Sequence, residues 1–114
     1  MGNLSVDQLN LCIYNNSMKR RFTWNDQKLA INLEKHHLDF NDAGLVLESP
    51  FRLDVESVRN NEVRTQSFAY VFDRIAVLTV VHVAGDRPHI ISFRTASETE
   101  REVYYEWLEN DYTA

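Results

Sequence analysis

Two arginines, Arg64 and Arg94, are the side chains of this sequence best suited to chemistry. Each lies at one end of a predicted strand whose neighbouring residues are apolar. A half-buried guanidinium is costly unless it is paired, so each arginine needs a partner. That partner is either a carboxylate (Glu56, Glu62 or Glu100) or a phosphate, which a planar guanidinium binds through two hydrogen bonds. Spacing alone favours the structural ion pair and leaves phosphate binding open.

The four histidines offer a second kind of chemistry, which is metal binding. His36 and His37 are consecutive, so on a helix they point about 100° apart and do not readily chelate one ion. A metal site would need His82 or His89 to lie close as well. Histidines at a helix end that interact with its C-terminal dipole are the favoured alternative.

None of the common short catalytic motifs is present in the 114 residues. There is no glycine-rich phosphate loop, CxxC pair, HExxH pair or nucleophile elbow. The single cysteine, Cys12, excludes an internal disulfide framework and a multi-cysteine zinc site. We therefore expect neither a metal ion nor another cofactor.

Composition and charge indicate one compact domain with an uneven charge distribution. Hydrophobic residues make up 44% and charged residues 25%, and no apolar run is long enough to predict a transmembrane helix or a signal peptide. The net charge is −5, but residues 98–111 hold six acids and one base, and the rest of the chain is neutral. We expect a cytoplasmic protein in which a basic site remains possible away from the acidic segment.

Hydrophobic periodicity predicts an α+β domain with two N-terminal helices, a small antiparallel sheet of about four strands and a C-terminal helix. The first predicted helix is capped by Asn25 or Asp26 and runs to about His36, with Leu29 and Leu33 on one face. The second runs from Asp39 to Pro50, with Phe40, Ala43 and Leu47 on its apolar face. The third follows the capping box Ser97–Glu100, and its inward face holds Val103, Tyr104, Trp107, Leu108 and Tyr112. The predicted strands are Phe22–Trp24, Phe51–Val58, Arg64–Phe72 with an apolar face ending in Phe72, the central Ile75–Val83, and His89–Arg94, with a tight turn at Asn60–Asn61.

Residues 1–17 differ in composition from the remainder of the chain. They hold four asparagines, one acid and no base, and Met18 is followed by three consecutive basic residues. We interpret residues 1–17 as a leader of uncertain role and residues 18–114 as a single domain.

The ordered set of motifs between Phe22 and Glu106 resembles the BrnT family of type II toxin–antitoxin toxins. The matching residues are Phe22-Thr23-Trp24-Asn25, Lys28, Asn32, Lys35-His36, Phe40, Ala43, Pro50, Glu62-Val63-Arg64, the strand Ile75–Val83, Ile90-Ile91-Ser92-Phe93-Arg94-Thr95-Ala96, Glu100-Arg101 and Tyr104. Two positions depart from the family pattern. His37 stands where the family has a glycine, and Thr95 replaces an arginine.

The resemblance implies a RelE-like fold and inhibition of translation by metal-independent RNA cleavage. It also implies a BrnA-type ribbon-helix-helix antitoxin as partner, with DNA contacted only indirectly through that antitoxin. Within this interpretation Arg64 and Arg94 hold the phosphate, and Lys35 and His36 serve in proton transfer or electrostatic stabilisation. Glu62 is either the general base or a brace that orients Arg64, and the brace is the favoured role. Arg101 is an ion-pair residue or a further substrate-binding group.

A second reading is not enzymatic. The domain would then act as a protein-binding module that forms half of an autorepressing DNA-binding complex, without cutting RNA. The sequence does not identify the RNA target or the stoichiometry of the complex with an antitoxin.

Overall fold

The computed structural model describes residues 21–112, so the predicted leader at residues 1–17 lies outside the described residues. The helical elements in this part of the chain are α1 (Asp26–His36), a 3₁₀ helix (Phe40–Asp42), α2 (Gly44–Leu47) and α3 (Glu98–Tyr112). The strands there are β1 (Thr23–Trp24), β2 (Leu53–Arg59), β3 (Glu62–Val71), β4 (Ala76–Val83) and β5 (His89–Thr95). No helix within residues 21–112 is both long and apolar enough to cross a membrane.

The strands form one mixed sheet in the order β1-β5-β4-β3-β2. β2 to β5 make the predicted antiparallel meander, and β4 lies in the centre of the sheet as predicted. β1 adds a fifth strand parallel to β5, with Thr23 opposite His89 and Trp24 opposite Ile90. The predicted α+β class is confirmed, and the sheet has five strands rather than four. A two-residue strand is too short for its sequence to indicate which strand it pairs with.

The 3₁₀ helix and α2 cover one face of the sheet, and α1 packs against β5. Phe40, Ala43 and Leu47 are buried there, as predicted. The prediction of one continuous helix from Asp39 is wrong, because the chain forms a 3₁₀ helix before α2. The Asp39 carboxylate accepts a hydrogen bond from the Asn41 amide at 2.8 Å. The amides of Asp42 and Ala43 then bond to the carbonyls three residues earlier, at 2.8 and 3.0 Å, which is the 3₁₀ pattern.

The apolar face predicted for α1 is only half correct. Asn25 caps α1 as predicted, with its side chain accepting from Gln27 and Lys28. Leu29 packs against the core, but Leu33 is 39% exposed. The residue that α1 buries is Asn32, whose side chain bonds to the backbone of β5.

Two turns differ in how well the sequence predicted them. Asn60 and Asn61 both have positive φ, 53° and 66°, which confirms the tight hairpin turn. The turn after β3 is longer than predicted, because the Ile75 amide bonds back to the Val71 carbonyl at 2.8 Å. Phe72 and Ile75 therefore lie in the turn, 78% and 77% exposed, and their assignment to strands is wrong.

Helix α3 packs on the opposite face of the sheet and covers only part of it. The predicted capping box is confirmed, with the Ser97 amide bonded to Glu100 at 2.9 Å and the Glu100 amide to the Ser97 hydroxyl at 3.2 Å. Tyr104 is buried, and Trp107 and Leu108 pack beside it; Val103, predicted to face inward, is 43% exposed. Among the predicted inward residues whose side chains the structure describes, only Tyr104, Trp107 and Leu108 therefore pack against the sheet.

Candidate functional site

The face of the sheet on which α3 packs also carries a groove, beside the first turn of that helix. Three adjoining cavities of about 480, 210 and 210 Å³ form it, and all three include Ile91. Their lining contains five lysines and arginines and one carboxylate: Lys28, Lys35, Arg59, Arg64 and Arg94 against Glu62. We call this surface the basic groove. A chain of net charge −5 thus concentrates positive charge at one place.

Arg64, in β3, lines two of the three cavities. Its Nε donates a hydrogen bond to Glu62 Oε1 at 3.1 Å, and the side chain is 25% exposed. The two terminal guanidinium nitrogens make no hydrogen bond with residues 21–112. Glu62 therefore orients Arg64 while leaving the guanidinium fork open to an anion.

Arg94, in β5, lines a cavity together with Arg64 but is paired more fully. Its two terminal nitrogens donate to the Glu100 carboxylate at 2.7 and 2.8 Å. The hydrogen bonds from Arg94 are the main cause that lowers the pKa of Glu100 to about 2, with further bonds from Ser97 and Thr79. The same pair raises the pKa of Arg94 although burial opposes this. Glu62 and Glu100 are thus the carboxylate partners that the sequence left open.

Asn32 fixes α1 alongside the groove. Its Nδ2 donates to the Phe93 carbonyl at 2.7 Å and to the Leu38 carbonyl at 3.0 Å, and its Oδ1 accepts from the Phe93 amide at 3.1 Å. This carboxamide pairs with β5 as the peptide group of another strand would. Its burial is therefore satisfied, and α1 is held so that Lys35 and His36 face the groove.

His36 ends α1 and lines a cavity with Lys35 and Ser92. Burial lowers the pKa of His36, and the positive charges of Lys35 and Arg94 lower it further. The imidazole is consequently neutral near pH 7 and able to accept a proton.

A β-bulge in β5 shapes the floor of the groove. Val81 pairs with Ser92 but the next residue, His82, pairs with Ile90, so Ile91 has no partner in β4. A bulge kinks a strand and redirects its side chains. As a result two consecutive residues, Ile91 and Ser92, both line the groove.

The structure brings most of the predicted site residues together. Those that line the basic groove are Lys35, His36, Glu62, Arg64 and Arg94. Arg101 lies apart from these cavities, exposed on α3, where it donates to the Ala96 carbonyl at 3.3 Å. Its predicted role in substrate binding remains a prediction.

The histidines do not gather into a metal site in the described part of the chain. His89 Nδ1 lies 2.8 Å from the Thr23 hydroxyl at the groove, whereas His82 lies on the opposite face. Across residues 21–112, no three histidine, cysteine, aspartate or glutamate side chains are arranged to hold a metal ion.

Asp54, Ser67 and His82 form a hydrogen-bonded chain that the sequence does not indicate. The Ser67 hydroxyl donates to Asp54 at 2.6 Å and lies 2.9 Å from His82 Nε2. In a nucleophilic triad the imidazole stands between hydroxyl and carboxylate; here the hydroxyl is in the middle and fully buried. The chain therefore ties β2, β3 and β4 together. Only the strand register could have revealed it.

Comparison with known protein families matches residues 24–100 to the BrnT ribonuclease toxin of type II toxin–antitoxin systems. No curated protein matches the chain. The family match covers the groove residues from Asn25 to Arg94, including the two arginines, α1 and the bulge of β5. The chain belongs to the BrnT family of type II ribonuclease toxins.

Proposed function

We propose that this protein is a toxin that inhibits translation by metal-independent cleavage of RNA. The observation that carries the proposal is the cavity shared by Arg64 and Arg94 within the basic groove. A guanidinium with free terminal nitrogens binds phosphate through charge-assisted hydrogen bonds, and a positively charged groove attracts the RNA backbone.

The proposed reaction is transesterification within the RNA chain. The ribose 2′-hydroxyl attacks the adjacent phosphorus, the bond from phosphorus to the 5′-oxygen breaks, and a 2′,3′-cyclic phosphate forms. His36 accepts the proton of the 2′-hydroxyl, because its lowered pKa keeps it neutral. Lys35 donates a proton to the departing 5′-oxygen.

Arg64 makes the direct contact with the phosphate and stabilises the charge that develops on its oxygens. Arg94 is held by Glu100 and adds positive charge from the other side of the cavity. Glu62 serves as the brace for Arg64 rather than as the base, because its carboxylate already accepts from Arg64 Nε.

The family implies an antitoxin partner. We propose that this partner is a BrnA-type ribbon-helix-helix protein with an acidic segment that covers the basic groove. Covering the groove blocks RNA and pairs the exposed cations at once. The complex then contacts operator DNA through the antitoxin and represses its own operon.

The test is expression of the toxin without an antitoxin, followed by cleavage assays with EDTA present. Wild type should arrest growth and release 2′,3′-cyclic phosphate ends, and Arg64→Ala should slow cleavage about 100-fold or more. Arg74→Ala is the matched control, because Arg74 pairs with Asp42 at 3.1 Å away from the groove. It should cleave like wild type.

Two results would count against the proposal. A folded Arg64→Ala protein that remains fully toxic contradicts the phosphate role of Arg64. A wild-type protein that is harmless and leaves RNA intact favours the non-catalytic binding module instead.

A further inference from the structure

The largest cavity of the basic groove extends away from the cavity that Arg64 and Arg94 share. Its volume is about 480 Å³, within the range of small-molecule sites. Its apolar wall is formed by Ile31 of α1, Val83 of β4 and Ile91 of β5, whereas Ile90 is buried in the core. Its polar groups include Lys28, Glu62 and Arg64. Apolar walls with a few polar groups suit a flat ring that has a polar edge.

This cavity adjoins the one that holds both arginines. The two share Arg64 and Ile91, so a ligand whose phosphate lies on Arg64 has its neighbouring group at the mouth of the larger cavity. In single-stranded RNA the group next to a phosphate is a nucleoside. Proteins recognise such unstacked bases by packing against the ring and by hydrogen bonds to its edge.

Glu62 determines which edge fits. One carboxylate oxygen accepts from Arg64 Nε at 3.1 Å, and a carboxylate has capacity for further donors but donates nothing itself. Guanine presents two adjacent N–H donors on its Watson–Crick edge, whereas uracil presents one between two carbonyl oxygens. A carboxylate therefore favours guanine and disfavours uracil.

We propose that this cavity binds the base next to the cleaved phosphate, that Ile31 packs against the ring, and that Glu62 selects guanine. The inference rests on the proposed function, since it places RNA in the basic groove. It adds a specificity site that the cleavage chemistry does not require.

The test measures binding without cleavage. The probes are fluorescent 2′-O-methyl RNA hexamers of uridine in which one central position is guanine, adenine, cytosine or uracil, titrated with wild-type protein. The guanine hexamer should bind about 10-fold more tightly than the uracil hexamer, the size expected of one paired hydrogen-bond contact. Glu62→Gln should reduce this ratio to about 2-fold or less. Glu56→Gln is the control, because Glu56 lies on the other face of the same hairpin and should keep the ratio.

A second variant tests the cavity without changing a charge. Ile31 is 58% exposed, so Ile31→Trp should fold and fill the cavity. It should remove the preference for guanine, while Leu33→Trp, at an exposed site on α1 that does not line the groove, should keep it.

Equal affinity of wild type for all four hexamers, or a guanine preference that survives in Ile31→Trp, overturns the inference. Its failure is distinguishable from that of the proposed function. Arg64-dependent cleavage with no base preference leaves the ribonuclease and removes the base site. A guanine preference in a protein that never cleaves RNA leaves the base site and removes the ribonuclease.

Discussion

The face of the sheet that carries α3 has two halves that contrast in chemistry. In the covered half Phe68 and Val77 pack beneath Tyr104 and are almost completely buried. In the open half Arg64 and Arg94 line a cavity. Both halves are built from β3, β4 and β5, and β3 alone carries Arg64 at one end and Phe68 further along the same face. Helix α3 thus covers part of one sheet face, where it stabilises the fold, and leaves the rest of that face free for a polar site.

The boundary between the halves is ionic. Glu100 belongs to α3 but bonds to Arg94 of the open half and to Thr79 in the centre of the sheet, at 3.2 Å. It caps α3 and holds a groove arginine with one carboxylate. If the two halves have these separate roles, variants in the open half should change the cleavage rate and variants in the covered half should change the free energy of unfolding. Variants of Glu100 should change both quantities.

The largest effect is expected in the open half, from His36→Gln. Loss of a general base should slow cleavage about 100-fold or more without lowering the melting temperature. The wild-type rate should fall as the pH drops through the lowered pKa of His36, because only neutral imidazole accepts the proton. That acidic decline should be absent from the variant. His37→Asn, at the neighbouring exposed residue, is the control for both measurements.

A His36→Gln protein that keeps the wild-type rate and acidic decline contradicts the assignment of His36 as base. A lower melting temperature with an unchanged rate per folded molecule would instead place His36 among the stabilising residues.

Glu100→Gln should lower stability by about 3 kcal/mol at pH 7, because it leaves the Arg94 charge half buried and unpaired while glutamine still fits the capping box. The pKa of Glu100 is about 2 in the folded protein, below its ordinary 4.5, so its contribution is complete above pH 4.5 and is lost as the pH falls toward 2. Urea unfolding of both proteins across this range checks the sign.

The difference between wild type and Glu100→Gln should shrink as the pH falls. Glu102→Gln is the control, because Glu102 is exposed on the same helix and should change stability by less than about 0.5 kcal/mol. A difference that is constant from pH 7 to pH 2 would show that the carboxylate charge does not contribute.

In the covered half, Tyr104→Phe should cost about 1–2 kcal/mol and leave the cleavage rate unchanged. The Tyr104 hydroxyl donates to the Phe51 carbonyl at 2.8 Å and accepts from the Tyr70 amide at 3.2 Å, where β2 joins the sheet. Removing it leaves two backbone groups without that partner. Tyr105→Phe, at a residue 46% exposed, should be neutral in the same thermal melts. A change in cleavage rate for Tyr104→Phe would show that the two halves are coupled.

The smallest effect is expected from His37→Gly. His37 has φ 60° at the end of α1, a left-handed conformation that costs any residue with a Cβ atom. Glycine should raise stability by about 0.5 kcal/mol, or about 2–4 °C in melting temperature. An unchanged or lower melting temperature would show that the imidazole makes a compensating contact.

Local signals in the sequence predicted the elements well where the relevant atoms lie close along the chain. The Ser97–Glu100 capping box and the Asn60–Asn61 turn involve residues at most three apart, and both are confirmed. The gathering of Arg64 and Arg94 in one cavity depends on the pairing of strands far apart in sequence, so their separate positions could only suggest it.

The features that the sequence did not reveal depend on long-range register. The bulge at Ile91 shows no turn residue, because the extra residue is defined only against β4. Asn32 was expected only as a motif residue, and its burial makes sense once the Phe93 backbone is seen beside it. Phe72 and Ile75 were misplaced because apolar residues in a turn continue the alternation of a strand.

The contact between Asn32 and Phe93 also closes part of a strand edge. β1 pairs with β5 only opposite His89 and Ile90, so the β5 backbone at Phe93 would otherwise present an open edge. Open strand edges template intermolecular sheet growth. The Asn32 carboxamide occupies both polar groups of Phe93 and brings a helix against that edge. One amide side chain thus occupies the backbone donor and acceptor of Phe93 that a second strand would need, and does so without lengthening β1.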